Sequence, residues 1–185
     1  MIYKLITLAF LVRVGTTLPY KYEVQFRDEY FLPCPNYPNN SLDIVLRRPE
    51  NITFLSDSAT YIAGDVVLIY DFDPSQKYPA NMEFFKFNRG SWQKTLYSIR
   101  REDFCSSFFN PSEVWSTFLK ELPAEQRKCP LRKGQIFSIN VTMDQSFEMA
   151  SGSLEGDYWA HLEAGNKNNL NMFFCVDGYF SVYRV

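Results

Sequence analysis

Histidine and cysteine, whose pKa values lie closest to neutral pH, are the first candidates for acid–base, nucleophilic or metal chemistry, and this protein has few of them. Among 185 residues there is one histidine, His161, and there are four cysteines. A serine or cysteine nucleophile needs a base beside it, so a hydrolase would have to use His161. That histidine lies where Tyr158, Ala160 and Leu162 alternate with other residues, which is typical of a strand. We interpret it as an exposed or edge-strand histidine, assign no catalytic residue, and regard an extracellular hydrolase as the least favoured function.

The cysteine spacing favours disulfides over a metal site or a reactive thiol. The chain has no Cys-x-x-Cys motif, and a zinc site would need four ligands at closer spacing. Four cysteines allow three pairings, and sequence alone does not choose among them. We favour Cys105–Cys129, because the segment between them is predicted to fold back as a helical hairpin. Cys34–Cys175 would then join the first strand region to the last, so we predict two disulfides, no metal and no cofactor.

Residues 1–17 are predicted to be a secretory signal peptide. Lys4 supplies the positive charge, and the apolar stretch 5–12 has the length typical of such signals. A membrane-spanning helix needs roughly 20 apolar residues, so this segment is too short to be an anchor. We therefore expect residues 18–185 to form a single secreted, extracellular domain without stable membrane insertion.

Three Asn-x-Ser/Thr sequences agree with secretion, since they are the acceptors for N-linked glycosylation. The asparagines are Asn39, Asn51 and Asn140. Asn140 lies in a segment where Ile139 and Val141 alternate with polar residues, so we place it on the outer face of a half-buried strand.

The aromatic content is the unusual part of the composition. The chain has 17 Phe, 12 Tyr and 3 Trp but only 8 Gly, which favours strands over a glycine-rich nucleotide-binding fold. The formal net charge of −2 argues against a partner that presents a phosphate backbone, so no nucleic-acid binding is expected.

Apolar residues with a period of two predict about eight or nine strands, and hence an all-β sandwich. One change of period predicts a short helix. Asn110, Pro111 and Glu113 form an N-cap sequence, apolar residues follow at helical spacing, and Pro123 ends the run.

Cysteine and glycine spacings resemble those of a secreted insect family. One such spacing runs from Cys105 through a predicted helix to the Cys-Pro-x3-Gly sequence of residues 129–134. The Gly-Asp-Tyr-Trp sequence of residues 156–159 forms another, and residues 63–65 lead into a strand in a similar way. From about residue 20 to residue 185 the chain is similar to the CheA/CheB-type chemosensory proteins, which are related to the ganglioside-activator (ML-like) lipid-recognition proteins. It departs from that family at residues 153–155. In the family a proline often precedes this glycine, whereas here the preceding residues are Ser-Leu-Glu.

The resemblance implies a cup-like β-sandwich whose apolar interior takes a lipid or hydrocarbon tail. It also implies a role in gustatory perception of contact pheromones and in mating behaviour. The expected partners are then a hydrophobic small molecule or lipid and a chemoreceptor or ion channel. No family binding residue carries over, so candidate pocket residues come from the inward faces of the predicted strands and helix. They are Val66, Leu68, Tyr70, Trp115, Phe118, Phe137, Ile139 and Val141.

The function depends on whether the interior of the sandwich contains a cavity or is filled by side chains. If the two sheets enclose a cavity, the protein carries or presents a hydrophobic ligand, and chain length and headgroup contacts set affinity and selectivity. If the same side chains fill an ordinary core, the protein is a secreted interaction module that acts through its surface on a receptor or another extracellular partner.

Overall fold

Two antiparallel sheets make up most of the computed structural model, which describes residues 19–27, 31–113, 115–150 and 152–185. The predicted all-β sandwich is confirmed, and one of the two sheets curls into a half-barrel. The predicted signal peptide, residues 1–17, lies outside the described residues. Within them no helix has the length and apolar character needed to cross a membrane.

The described residues form eleven strands. They are β1 Tyr20–Phe26, β2 Leu32–Pro33, β3 Leu46–Arg47, β4 Asn51–Ser56, β5 Ala59–Leu68, β6 Ala80–Asn88, β7 Ser91–Arg101, β8 Ile136–Asp144, β9 Ser146–Met149, β10 Gly156–Gly165 and β11 Phe173–Arg184. The count exceeds the predicted eight or nine because β2 is a two-residue strand that no alternation indicates, and because residues 135–147, whose alternation predicts one strand, are divided between β8 and β9.

The larger sheet has the order β7-β6-β10-β11-β1-β9, with β2 pairing the other end of β11. In the smaller sheet β5 is central, with β8 on one side and β3 and β4 on the other. The strands β8 and β9 are separated only by Gln145, so one nearly continuous strand passes from one sheet into the other.

Gln145 ties the two sheets together where this passage occurs. Its backbone N–H donates to the Ser58 carbonyl at 2.8 Å, beside β5, and its carbonyl accepts from the Val24 N–H at 2.9 Å, in β1. Its side-chain Nε2 also donates to Thr60 Oγ1 at 2.9 Å, and Thr60 is completely buried. A strand that changes sheets through such a bend forms a corner of the sandwich.

The predicted single helix is wrong in extent. The described residues contain two short helices, α1 Phe104–Phe108 and α2 Ser116–Leu119. Asn110 Oδ1 accepts from the Ser112 N–H at 3.0 Å, as an N-cap residue would, but residues 111–113 form a turn and no helix follows directly. Glu113 pairs with Arg101 instead of bonding back to the cap, so the helix begins only at Ser116.

Residues 41–48 alternate apolar and polar side chains, which predicts one strand, but only β3 within them is a strand. Residues Leu42–Ile44 form a 3-10 turn, and Ser41 Oγ caps it by accepting from the Asp43 N–H. Serine competes for backbone hydrogen bonds in this way at turns, which overrides the alternation.

The two disulfides join Cys34 to Cys175 and Cys105 to Cys129, the pairs that the sequence analysis favours. The first is buried beside Phe173 and Tyr37 and ties the start of the domain to β11. The second fastens the segment that contains α1 and α2, and Cys129 is exposed. Disulfides of this kind are typical of an oxidising compartment such as the extracellular space.

The two disulfides should differ in their effect on stability. The sequence separations are 141 and 24 residues. In the chain-entropy treatment these loops correspond to about 5 and about 3.5 kcal/mol. We expect Cys34→Ala/Cys175→Ala to lower the free energy of unfolding more than Cys105→Ala/Cys129→Ala, measured by urea denaturation under non-reducing conditions. Equal losses, or a larger loss from the second pair, would contradict this ranking.

Candidate functional site

An apolar surface on the inner face of the smaller sheet is the first feature that could bind a ligand. Ile52 on β4, Ile62 on β5 and Val141 on β8 lie directly opposite one another in register. Side chains two residues apart share a face, so they lie on the same face as the buried Val66 and Phe137.

The side chains of this surface are more exposed to solvent than those on the rest of the inner face. Val66 and Phe137 are 9% and 4% exposed, whereas Ile52 and Phe54 are 36% and 51% exposed. Ile62 and Val141 are half-buried. We call the surface formed by Ile52, Phe54, Ile62, Ile139 and Val141 the open trough.

The sandwich is closed at its other end. Val45, from the loop before β3, packs with Ala80, Ala164, Phe174 and Val176 of the larger sheet. The cavity beside this cluster has a volume of about 10 Å³, enough for one water at most. This end therefore offers no room for a hydrocarbon chain.

The candidate pocket residues divide between the closed core and the open trough. Val66, Leu68 and Phe137 pack with Leu119, Leu122 and Leu131, Trp115 lies against that cluster, and Tyr70 lies against the cluster at the closed end. Ile139 also packs against the first of these clusters and lies where the closed core meets the trough. Val141 lines the trough, and the side chain of Phe118 lies outside the described residues.

Sequence reasoning missed the contribution of β4. Ile52 and Phe54 alternate with polar residues in a short strand, so the period-two pattern could have identified them. The pattern could not show that β4 pairs with residues 59–63 of β5, which brings both residues beside Ile62.

His161 is the centre of the second feature, on the outer face of the larger sheet. The expectation of an exposed or edge-strand histidine is wrong, because β10 lies between β6 and β11 and the side chain is 22% exposed. Nδ1 lies 2.6 Å from Oδ1 of Asp177, its register partner on β11, and Nε2 lies 3.4 Å from Oε1 of Glu163.

The buried disulfide lies against the same imidazole. Cys34 Sγ is 3.7 Å from Nδ1, and Cys175 Sγ is 3.8 Å from Nε2. With the two sulfurs bonded to each other, neither is a thiolate that could attack a substrate or ligate a metal. The carboxylates that flank the ring fix its orientation and favour its protonated form.

The hydrogen bond to Asp177 raises the pKa of His161 above its ordinary value, and Asp177 and Glu163 add favourable Coulombic interactions, while burial acts in the opposite direction. Asp177 is 1% exposed, so a carboxylate at this position requires a hydrogen-bonded or charged partner. When His161 is protonated, the arrangement is a partly buried ion pair.

The three glycosylation candidates are all at the surface. Asn39 lies in the loop after Cys34, Asn51 begins β4, and Asn140 lies on β8. Asn140 is exposed on the outer face, where its Oδ1 accepts from the Tyr61 hydroxyl at 3.0 Å.

The ion pair should make stability depend on pH in a defined direction. Because the folded-state pKa of His161 is raised, its contribution is fully present below the unfolded-state value of about 6.5. The contribution is lost as pH rises through the folded-state pKa. We expect NMR titration of the sole histidine to give a pKa above 6.5, and Asp177→Asn to lower it.

A stability measurement provides the control. The free energy of unfolding of the wild type should fall more between pH 6 and pH 9 than that of His161→Asn, which lacks the titrating group. A wild-type pKa at or below 6.5, or parallel pH profiles for the two proteins, would show that the carboxylates do not stabilise the imidazolium.

Comparison with known proteins leaves the family open. No protein-family model matches the chain, and no curated protein is significantly similar to it. The resemblance to chemosensory proteins therefore depends on the cysteine and glycine spacings alone, and a function has to be argued from the open trough and the ion pair.

Proposed function

We propose that the protein is a secreted, non-enzymatic binder or presenter of a hydrophobic ligand, and that the open trough holds the ligand's apolar tail. The observation that carries this proposal is the row formed by Ile52, Ile62 and Val141, which lie side by side on an inward face and stay partly exposed. In an ordinary sandwich such a row would pack against the facing sheet.

The energetics suit a lipid or hydrocarbon. Burial of one CH₂ group contributes about 0.8 kcal/mol, so a fully buried ten-carbon tail would gain roughly 8 kcal/mol. That corresponds to about micromolar affinity before the costs of immobilising the ligand. An open trough buries less of the tail than a closed cavity does, so longer chains should bind more tightly.

The biological setting comes from the resemblance. The chemosensory family suggests contact-pheromone perception, with a chemoreceptor or ion channel as the recipient of the ligand. The two disulfides, the exposed acceptor asparagines and the apolar N-terminal stretch support an extracellular location.

A surface interaction module is the alternative function, and one feature favours it. On β7 the segment between Lys94 and Ser98 bulges out of register with β6, and Leu96 at its tip is fully exposed. The bulge is held by the Thr95 hydroxyl, which donates to the Phe84 carbonyl at 2.8 Å. A fixed, fully exposed leucine is suited to insertion into a partner protein.

Native mass spectrometry of the protein secreted from insect cells tests the main proposal first. We expect an added mass in the lipid or hydrocarbon range that disappears after solvent extraction. A protein without added mass that also fails to bind a panel of long-chain lipids and cuticular hydrocarbons would overturn the proposal and favour the surface module.

A matched pair of substitutions tests the location of the ligand. Val141→Lys places an ammonium group in the trough, whereas Ile136→Lys changes the opposite face of the same strand, at a residue that is 45% exposed. We expect Val141→Lys to weaken binding of a fluorescent long-chain fatty acid by about tenfold or more, a loss of at least 1.4 kcal/mol. Ile136→Lys should bind as the wild type does. Equal effects would show that the ligand lies elsewhere.

A further inference from the structure

The strand β4 is an edge strand with few of the features that prevent edge-to-edge association. All six of its residues are exposed, and among the described residues its one strand partner is β5. Ile52, Phe54 and Leu55 are 36%, 51% and 58% exposed. Residues 51–56 include no charged residue and no proline.

An edge strand of the larger sheet has the protective features that β4 lacks. The edge strand β7 carries Lys94, Arg100 and Arg101 and is distorted by the bulge at Leu96. Charged side chains and bulges are the usual devices that keep sheet edges from pairing with another chain. The irregularity in β4 lies between Phe54 and Ser56, so its first four residues stay in regular register.

One residue of β4 could supply the missing protection. Asn51 is the first residue of the strand, is exposed, and begins the acceptor sequence Asn51-Ile52-Thr53. We propose that an N-linked glycan on Asn51 shields the β4 edge and keeps it from pairing with β4 of a second copy of this chain. The proposal depends on the secretion part of the proposed function and is independent of ligand binding.

The geometry explains why a glycan at this position would act on the edge. Paired strands lie about 4.8 Å apart, so a second copy would have to approach β4 within that distance along its whole length. In an antiparallel pair of two β4 strands, Asn51 of each copy would lie opposite the end of the other. A bulky, hydrophilic glycan at both ends of the pair would block this approach. The strand has no charge of its own to oppose it.

Oligomeric state and glycan occupancy test the proposal together. Peptide mapping of the secreted wild type should show Asn51 occupied, and size-exclusion chromatography with light scattering should show a monomer. We expect Asn51→Gln to raise the fraction of dimers and larger species several-fold at equal concentration. Thr53→Ser keeps the acceptor sequence and should stay monomeric.

Two further variants separate the edge from general effects of losing a glycan. Asn39→Gln removes an acceptor from a loop rather than from an edge strand, so it should stay monomeric. Asn51→Gln combined with Phe54→Lys puts a charge on the unshielded strand and should restore the monomer.

Each contrary result has a definite meaning. If Asn51 is unoccupied while Asn39 or Asn140 carries a glycan, or if Asn51→Gln stays monomeric, the shielding role is wrong and the proposed ligand binding is unaffected. A wild type that is dimeric with Asn51 occupied also overturns it. If none of the three asparagines is modified in the secreted protein, the shielding role is likewise wrong, and the proposed ligand binding is again unaffected.

Discussion

The passage of one strand between two sheets is the constraint on which the rest of the structure depends. Because β8 continues into β9 through Gln145, the smaller sheet is attached to the larger one along one side. Packing around Val45 and Phe174 closes one end of the sandwich. Among the described residues, Ile52 and Phe54 then stay exposed on the inner face of the β4–β5 hairpin, and the open trough results.

The His161–Asp177 pair and the Cys34–Cys175 disulfide lie together on the outer face of the larger sheet. Asp177 and Cys175 are neighbours on β11 and point to the same face, where His161 of β10 contacts both. A buried carboxylate is costly unless it is paired, so this arrangement requires the imidazole. The only histidine of the chain thus has two carboxylate partners on this face, whereas the open trough, on the inner face of the smaller sheet, is lined by apolar side chains.

Local patterns predicted much of the fold, and tertiary contacts determined the rest. Alternation identified β5, β8, β10 and β11, because half-buried strands leave a period-two signature. The start of the helix was predicted wrongly. Glu113 pairs with Arg101 of β7, a contact that the local pattern does not reveal, and the side chain of Asn110 closes a turn. For the candidate site, Ile139 and Val141 were predicted. Ile52 and Phe54 were not, since only strand pairing places β4 beside β5. The position of His161 was also misjudged, because strand order cannot be read from alternation.

The openness of the trough has a consequence for how a ligand would be handed on. A molecule enclosed in a cavity must wait for the protein to open before a third party can touch it. A tail lying along Ile52, Ile62 and Val141 would keep one flank uncovered while its other flank is bound. A receptor could then contact ligand and protein at once and recognise the composite surface, which neither component presents by itself. Exchange would depend on the strength of the apolar contact rather than on the motion of a lid.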